Sequence, residues 1–244
     1  MTQSNALHTG TRGSRIIGIL ALIGLAWTLI FALVISPPDE VQGDAARFLY
    51  LHVPAAMMSY LAFAVTAISS VLYLWKKTRS LTWDRVAGVS GEIGLLMTAL
   101  MLATGMIWGK LTWGVYWRWD ARLTSTALLF IMFIGYVALR GLESSPAVRA
   151  RRCAIVGIVA FLDVPLVHFS VTWWRTLHQP PTFQVGKATI SGSMLFTLFV
   201  SMISFTLVYI WLMMHRNRLA MMEQAVEDHG LKVAIAERHA EVSA

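Results

Sequence analysis

The chain has almost no cysteine, little charge and no phosphate-binding loop. Cys153, its single cysteine, cannot close an internal disulfide, and without a C-x-x-C-H motif the chain does not itself carry covalently attached c-type haem. With no G-x-x-x-x-G-K-S/T segment, any work drawn from nucleotide hydrolysis must come from a partner. Charged residues make up 14% of the 244 positions, well below the roughly 25% of a soluble domain. No helix-turn-helix or other nucleic-acid module is visible, and the net charge of +7 gathers in a few loops, so it reads as topology rather than nucleic-acid binding.

What is abundant is apolar length. Six runs approach or exceed the about 20 helical residues that cross a hydrocarbon core: Ile16 to Ile35, Val53 to Trp75, Val86 to Trp108, Leu123 to Leu139, Cys153 to Trp174 and Ala188 to Met214. Open strands would leave backbone groups unpaired in lipid, so all six are expected to be helices. The first run is too long for a signal-peptide core and lacks a small-x-small cleavage site before Pro37 and Pro38, so it is expected to be retained. The expected architecture is an all-α integral membrane protein. It has a cytoplasmic N-terminal segment (residues 1–15), a six-helix membrane domain (16–214) and a cytoplasmic tail (215–244) of helical segments broken at Gly230. The lead-in is expected to be mobile, and the tail either solvated or a docking element for a cytoplasmic partner.

Basic residues orient the bundle. Arg12, Arg15, Lys76, Lys77, Arg79, Arg85, Arg140, Arg149, Arg151, Arg152, Arg216 and Arg218 all fall on one side, which by the positive-inside rule is cytoplasmic. Both termini are then cytoplasmic, and three loops face outward: Ser36 to His52, the stretch WGKLTWGVYWRWDARLTS at 108–125, and the region around Trp173 to Lys187.

Interfacial tryptophan is ordinary, but a simple aromatic belt would dress both faces of the membrane. Here six of the ten tryptophans lie on or beside the outer face, and that surplus points to a ligand. If residues 113–120 are extended, Trp113, Val115, Trp117 and Trp119 share one face, a platform for a flat apolar group. Arg118 or Arg122 can then pair with peripheral carboxylates, while Asp120 has a competing role as the cap of the fourth helix. His52, at the outer mouth of the second helix with Pro54 in that helix's first turn, and His178, in the third outer loop, can both face the tryptophan stretch. Each alone reads as a polar surface residue or a ligand; together they suit opposite faces of a haem iron. Zinc suits them less, because no further ligands are evident nearby. Glu92, Asp163 and His168 lie at membrane depth as either structural or functional groups, with Pro165 expected to kink the fifth helix between the last two.

These residues carry a resemblance. The 108–125 stretch, with YLHVPAA at 50–56 and VHFSVTWWRTLHQPP at 167–181, closely resembles the WWD haem-handling signature and flanking histidine motifs of the CcmC family, the haem exporter C proteins of bacterial cytochrome c maturation. The resemblance spans all six helices. It implies non-covalent haem b held by His52 and His178 as axial ligands, with a WWD segment (108–122) that maps onto Trp113, Trp117, Trp119 and Asp120. It further implies a bacterial inner-membrane protein that works beside CcmA, CcmB and CcmD and presents haem to the periplasmic chaperone CcmE. Arg118, Arg122 or Arg175 would steady the propionates. The expected role is delivery rather than catalysis. The alternatives are a haem lyase related to the larger CcmF and CcsA proteins, a permease with Glu92, Asp163 and His168 along its path, and an electron-transfer cytochrome b, which would want histidine pairs deeper in opposing helices.

Overall fold

The computed structural model describes residues 10–178, 183, 184, 187, 188, 190 and 192–243, with backbone alone at 183, 184, 187, 188, 228, 231, 234, 237 and 240–243. Seven helices account for most of it: α1 (Arg12–Ile30), α2 (Leu49–Leu74), α3 (Leu81–Trp113), α4 (Ala121–Arg140), α5 (Pro146–Phe161), α6 (Asp163–Trp173) and α7 (Gly192–Ser243). A π-helical turn (Phe31–Ile35) extends α1, a 3-10 turn (Asp44–Phe48) leads into α2, and a two-residue antiparallel pair, β1 (Phe183–Gln184) and β2 (Lys187–Ala188), precedes α7. Among the described residues six helical spans are long and apolar enough to cross a membrane, and α5 and α6 together form the fifth. The chain folds as an all-helical membrane bundle.

Local chemistry explains most helix boundaries. Thr11 and Ser14 form a reciprocal capping box, so α1 begins at Arg12, inside the expected mobile lead-in; residues 1–9 of that lead-in lie outside the described residues. The Ser80 hydroxyl caps α3 by accepting from the Thr82 N–H at 3.2 Å, and Pro146 occupies the first turn of α5. The break between α5 and α6 falls at Leu162. Proline clashes with the carbonyl four residues back, and for Pro165 that residue is Phe161, the last of α5.

Two boundaries differ from the sequence expectation. Helix α2 starts at Leu49 rather than Val53, so Pro54 sits inside the helix and His52 on its first turns rather than at a loop end. Pro54 cannot bond the Tyr50 carbonyl, but the Ser201 hydroxyl of α7 donates to that carbonyl instead, and a proline within the membrane becomes tolerable. The tail is likewise not broken at Gly230: α7 continues through it to Ser243. A single glycine costs a helix only about 1 kcal/mol, and the flanking sequence is rich in strong helix formers.

Helices α2 and α3 form the central pair, with α7 and α1 against one side and α4, α5 and α6 against the other. In lipid the driving force is close packing rather than escape from water. The core accordingly stacks Phe63 of α2 on Phe133 of α4 at 3.6 Å between ring centroids and buries many small hydroxyl side chains, among them Thr66, Ser90 and Thr98. Ion pairs tie the end of the bundle that carries the termini: Arg140 grips both oxygens of Asp84 at 2.8 and 3.1 Å, and Arg216 grips both oxygens of Glu92 at 2.7 and 3.2 Å. Glu92 is thereby engaged in a tie between α3 and α7.

Candidate functional site

At the opposite end, six segments converge on a small cavity: the loop before α2, the first turns of α2, the last turns of α3, the tryptophan loop, the start of α4, and the loop after α6. Helix α3 carries Trp108 and Trp113 to the site and stops because Gly114 adopts φ +77°, a left-handed conformation that side chains disfavour. Residues 115–120 then cross the mouth without helical structure, and Asp120 opens α4.

The cavity encloses about 60 Å³ and is lined by His52, His178, Trp108, Trp113, Trp117, Tyr60 and Arg122, among others. The His52 and His178 rings both line the cavity, 6.3 Å apart between centroids and tilted by 35°. Trp108 stands edge-on to His52 at 5.6 Å, and Trp113 lies 6.1 Å from His178. Trp108 donates its indole N–H to Gln42 of the first loop at 2.8 Å, closing the cavity on that side.

His52 is held in one orientation. Its Nδ1 lies 2.9 Å from the Met101 carbonyl and 3.3 Å from Thr104 Oγ1. A carbonyl only accepts, so Nδ1 carries the proton and donates, which leaves Nε2 with its lone pair as the ligating nitrogen. Metal-binding histidines usually donate their other ring N–H to a backbone carbonyl or carboxylate in this way. Gly105 makes the approach possible: a Cβ there would lie 2.8 Å from His52 Cε1.

Asp120 does two things at once. One carboxylate oxygen accepts from the Leu123 N–H at 2.9 Å and caps α4, while the other accepts from the Leu177 N–H at 3.0 Å. The cap was one of its two sequence readings. The second bond, which the sequence could not suggest, pins the residue next to His178 and so joins the tryptophan loop to the histidine loop.

Not every residue singled out from sequence reaches the cavity. His52, His178, Trp113, Trp117 and Arg122 line it; Trp119, Arg118, Asp120 and Arg175 do not. The expected flat platform is not formed, because Trp113 ends a helix and Trp119, 76% exposed, meets Trp117 edge-on at 5.4 Å and 78°. His168 packs against Tyr60 and Phe169 near the surface, and Asp163 is buried with both oxygens lacking a hydrogen-bond partner among the described residues. Pro180 and Pro181 of the third loop lie outside the described residues. Tyr60, Met101, Thr104 and Gly105 were missed. Tyr60 is eight residues beyond His52, hence on the same helix face, a signal visible only once His52 is placed inside α2.

These residues fit a haem. Two metal–imidazole bonds of about 2 Å each, plus half a ring beyond each nitrogen, bring two imidazole centroids on one metal to about 6 Å apart, close to the 6.3 Å found. The Trp117 indole N–H and the Tyr60 hydroxyl are buried without hydrogen-bond partners among the described residues. Such orphaned donors expect an acceptor. With Arg122 beside them, they suit a carboxylate-bearing ligand.

Comparison with known proteins agrees. The CcmC family, heme exporter protein C, matches residues 2–232. A heme exporter protein C of Bradyrhizobium diazoefficiens is 37% identical over 80% of this chain and 72% of its own length. That of Haemophilus influenzae is 36% identical over 84% and 82%, and that of Escherichia coli 33% identical over 84% and 82%. With a family match along nearly its whole length and the six-helix frame in place, this chain belongs to the CcmC family of heme exporter proteins.

Proposed function

We propose that this protein binds haem b non-covalently between His52 and His178 and presents it to the chaperone CcmE during c-type cytochrome maturation, as a delivery protein rather than an enzyme. The observation that carries the reading is the pair of imidazoles at 6.3 Å, one of them oriented by the Met101 carbonyl. Haem, when bound, supplies the iron and the vinyl groups to be handed on; the residues of this chain hold and orient it. Trp113 and Trp117 wall the site, and Arg122 with the orphaned N–H of Trp117 and hydroxyl of Tyr60 receives carboxylates. The cavity is open on one side, so the iron and one edge of a macrocycle would sit within it and the other edge outside, where a receiving protein can reach it. Exposed Trp119, Arg118 and Arg175 stand at that rim as contacts for haem or for CcmE. CcmA, CcmB and CcmD complete the assembly, in the inner membrane with the termini cytoplasmic and the tryptophan end periplasmic; the arginine-rich terminal end supports that orientation. The permease alternative loses one of its three markers, because Glu92 is engaged by Arg216.

The test is the visible spectrum of detergent-purified protein from haem-replete cells, wild type beside His52→Ala and His178→Ala at equal protein. A Soret band that is lost or becomes five-coordinate in each variant supports the reading. A spectrum indifferent to both substitutions removes the iron site.

A further inference from the structure

A second cavity, larger than the histidine site, lies at the other end. It encloses about 330 Å³ between α3, α4, the start of α5 and α7, and four arginines line it: Arg85, Arg140, Arg149 and Arg216. Two of them are neutralised. Arg140 is held by Asp84, and Arg216 by Glu92 and by Glu223 at 3.1 Å. The other two have no salt bridge among the described residues. Arg85 donates there to neutral amides, Asn217 at 3.0 Å and Gln224 at 3.2 Å. Arg149 has no salt bridge among the described residues, and its Nε is buried without a hydrogen-bond partner. Of the four acids in the lining, Glu227 alone has no salt bridge among the described residues, and it is exposed.

Two part-buried cations without a salt bridge among the described residues, in a cavity braced by two bidentate ion pairs and holding one exposed unpaired acid, Glu227, make a preformed anion site. The rest of the lining decides the kind of anion. Leu81, Val89, Val137, Pro146 and Ala220 alternate with the charges, so the cavity is amphiphilic. It sits where membrane-spanning helices end, beside further basic residues at Lys76, Lys77, Arg79, Arg151 and Arg152. Basic pockets between helices at a membrane boundary favour anionic lipid headgroups, each nearby cation adding to the attraction.

We propose that this cavity receives the phosphate headgroup of an anionic phospholipid from the surrounding leaflet, with Arg85 and Arg149 as its cations and the paired Arg140 and Arg216 fixing its walls. The bound lipid fills the space between α3, α4, α5 and α7 and sets their spacing at the terminal end. The inference uses no residue of the haem site and stands apart from it.

Delipidated protein in a neutral detergent, titrated with phosphatidylglycerol or phosphatidylcholine and read by native mass spectrometry, tests it. The wild type is expected to retain phosphatidylglycerol over phosphatidylcholine by about tenfold or more. Arg85→Gln with Arg149→Gln is expected to abolish that preference. Arg151→Gln with Arg152→Gln, which removes the same charge from exposed positions outside the cavity, should keep it. Equal retention of the two lipids by the wild type, an intact preference in the cavity variant, or the same loss in both double variants would overturn the proposal. Displacement of phosphatidylglycerol by millimolar inorganic phosphate would also overturn it, assigning the site to a soluble anion. The lipid comparison and the phosphate competition use wild-type protein, so they decide the matter even if a variant fails to fold.

Discussion

Replacing Asp120 tests whether a side chain outside the cavity governs the iron ligand inside it. Its two oxygens hold the Leu123 and Leu177 N–H groups at 2.9 and 3.0 Å. Asp120→Ala removes both bonds. Loss of an N-cap costs about 0.5–2 kcal/mol of helix stability, and loss of a hydrogen bond to a charged acceptor about 1.5–3 kcal/mol. The first penalty falls on α4, while the second falls on the loop that carries His178. At about 1.4 kcal/mol per factor of ten, the ratio of seated to released His178 loop drops at least about tenfold, and apparent haem affinity follows the seated fraction. Asp120→Asn keeps one acceptor oxygen and remains a good N-cap residue, so it separates the two effects. The assay is haem titration of purified protein by Soret absorbance, with thermal unfolding alongside. Asp120→Ala should bind more weakly and shift toward the spectrum of His178→Ala, and Asp120→Asn should lie between it and wild type. Wild-type affinity and a six-coordinate spectrum in Asp120→Ala would refute the positioning argument, whatever the change in stability.

Other consequences follow from the same geometry. Gly105→Ala places a methyl group 2.8 Å from His52 Cε1 and should displace the imidazole, giving a spectrum like that of His52→Ala while membrane insertion is unchanged; a wild-type spectrum would count against a fixed His52. Trp117→Ala should weaken haem retention in detergent, because Trp117 lines the cavity, whereas Trp119→Ala should spare retention and reduce transfer to CcmE; equal retention losses would return Trp119 to the binding wall. Asp84→Asn leaves Arg140, 16% exposed, without its counter-charge, and breaking a buried pair in this way costs about 3–5 kcal/mol. Asp84→Leu with Arg140→Met should recover most of that loss in thermal unfolding, and no recovery would mean that the pair contributes more than charge balance.

The primary structure announces the bundle because lipid selects on few properties: any helix that crosses it must be long and mostly apolar, with charge concentrated at its ends. The six runs, and the break before Pro165, are legible for that reason. The start of α2 is less legible, since Pro54 reads as a first-turn residue until the Ser201 hydroxyl of α7 is seen to donate to the Tyr50 carbonyl that the proline leaves unbonded. That partner is 151 residues distant in sequence, and no local pattern encodes it. Alternation in the tryptophan loop leaves its conformation open and carries no information about where α3 stops, which Gly114 decides.

The sequence by itself thus determined the membrane class, the number of spans and the candidate chemistry, because composition and spacing along one chain suffice for these. Three motifs also placed His52, His178 and the tryptophans at one end. Only the tertiary structure decided which of them meet. That His52 lies 6.3 Å from His178 depends on Met101 and Thr104 of a different helix orienting one ring and on Asp120 holding the loop of the other. That Trp119 and Arg118 remain outside depends on the course of the loop after α3 ends at Gly114. The matching of some arginines and not others in the terminal cavity is equally a product of packing. Such relations arise between segments remote in sequence, and they come into being only when the helices pack.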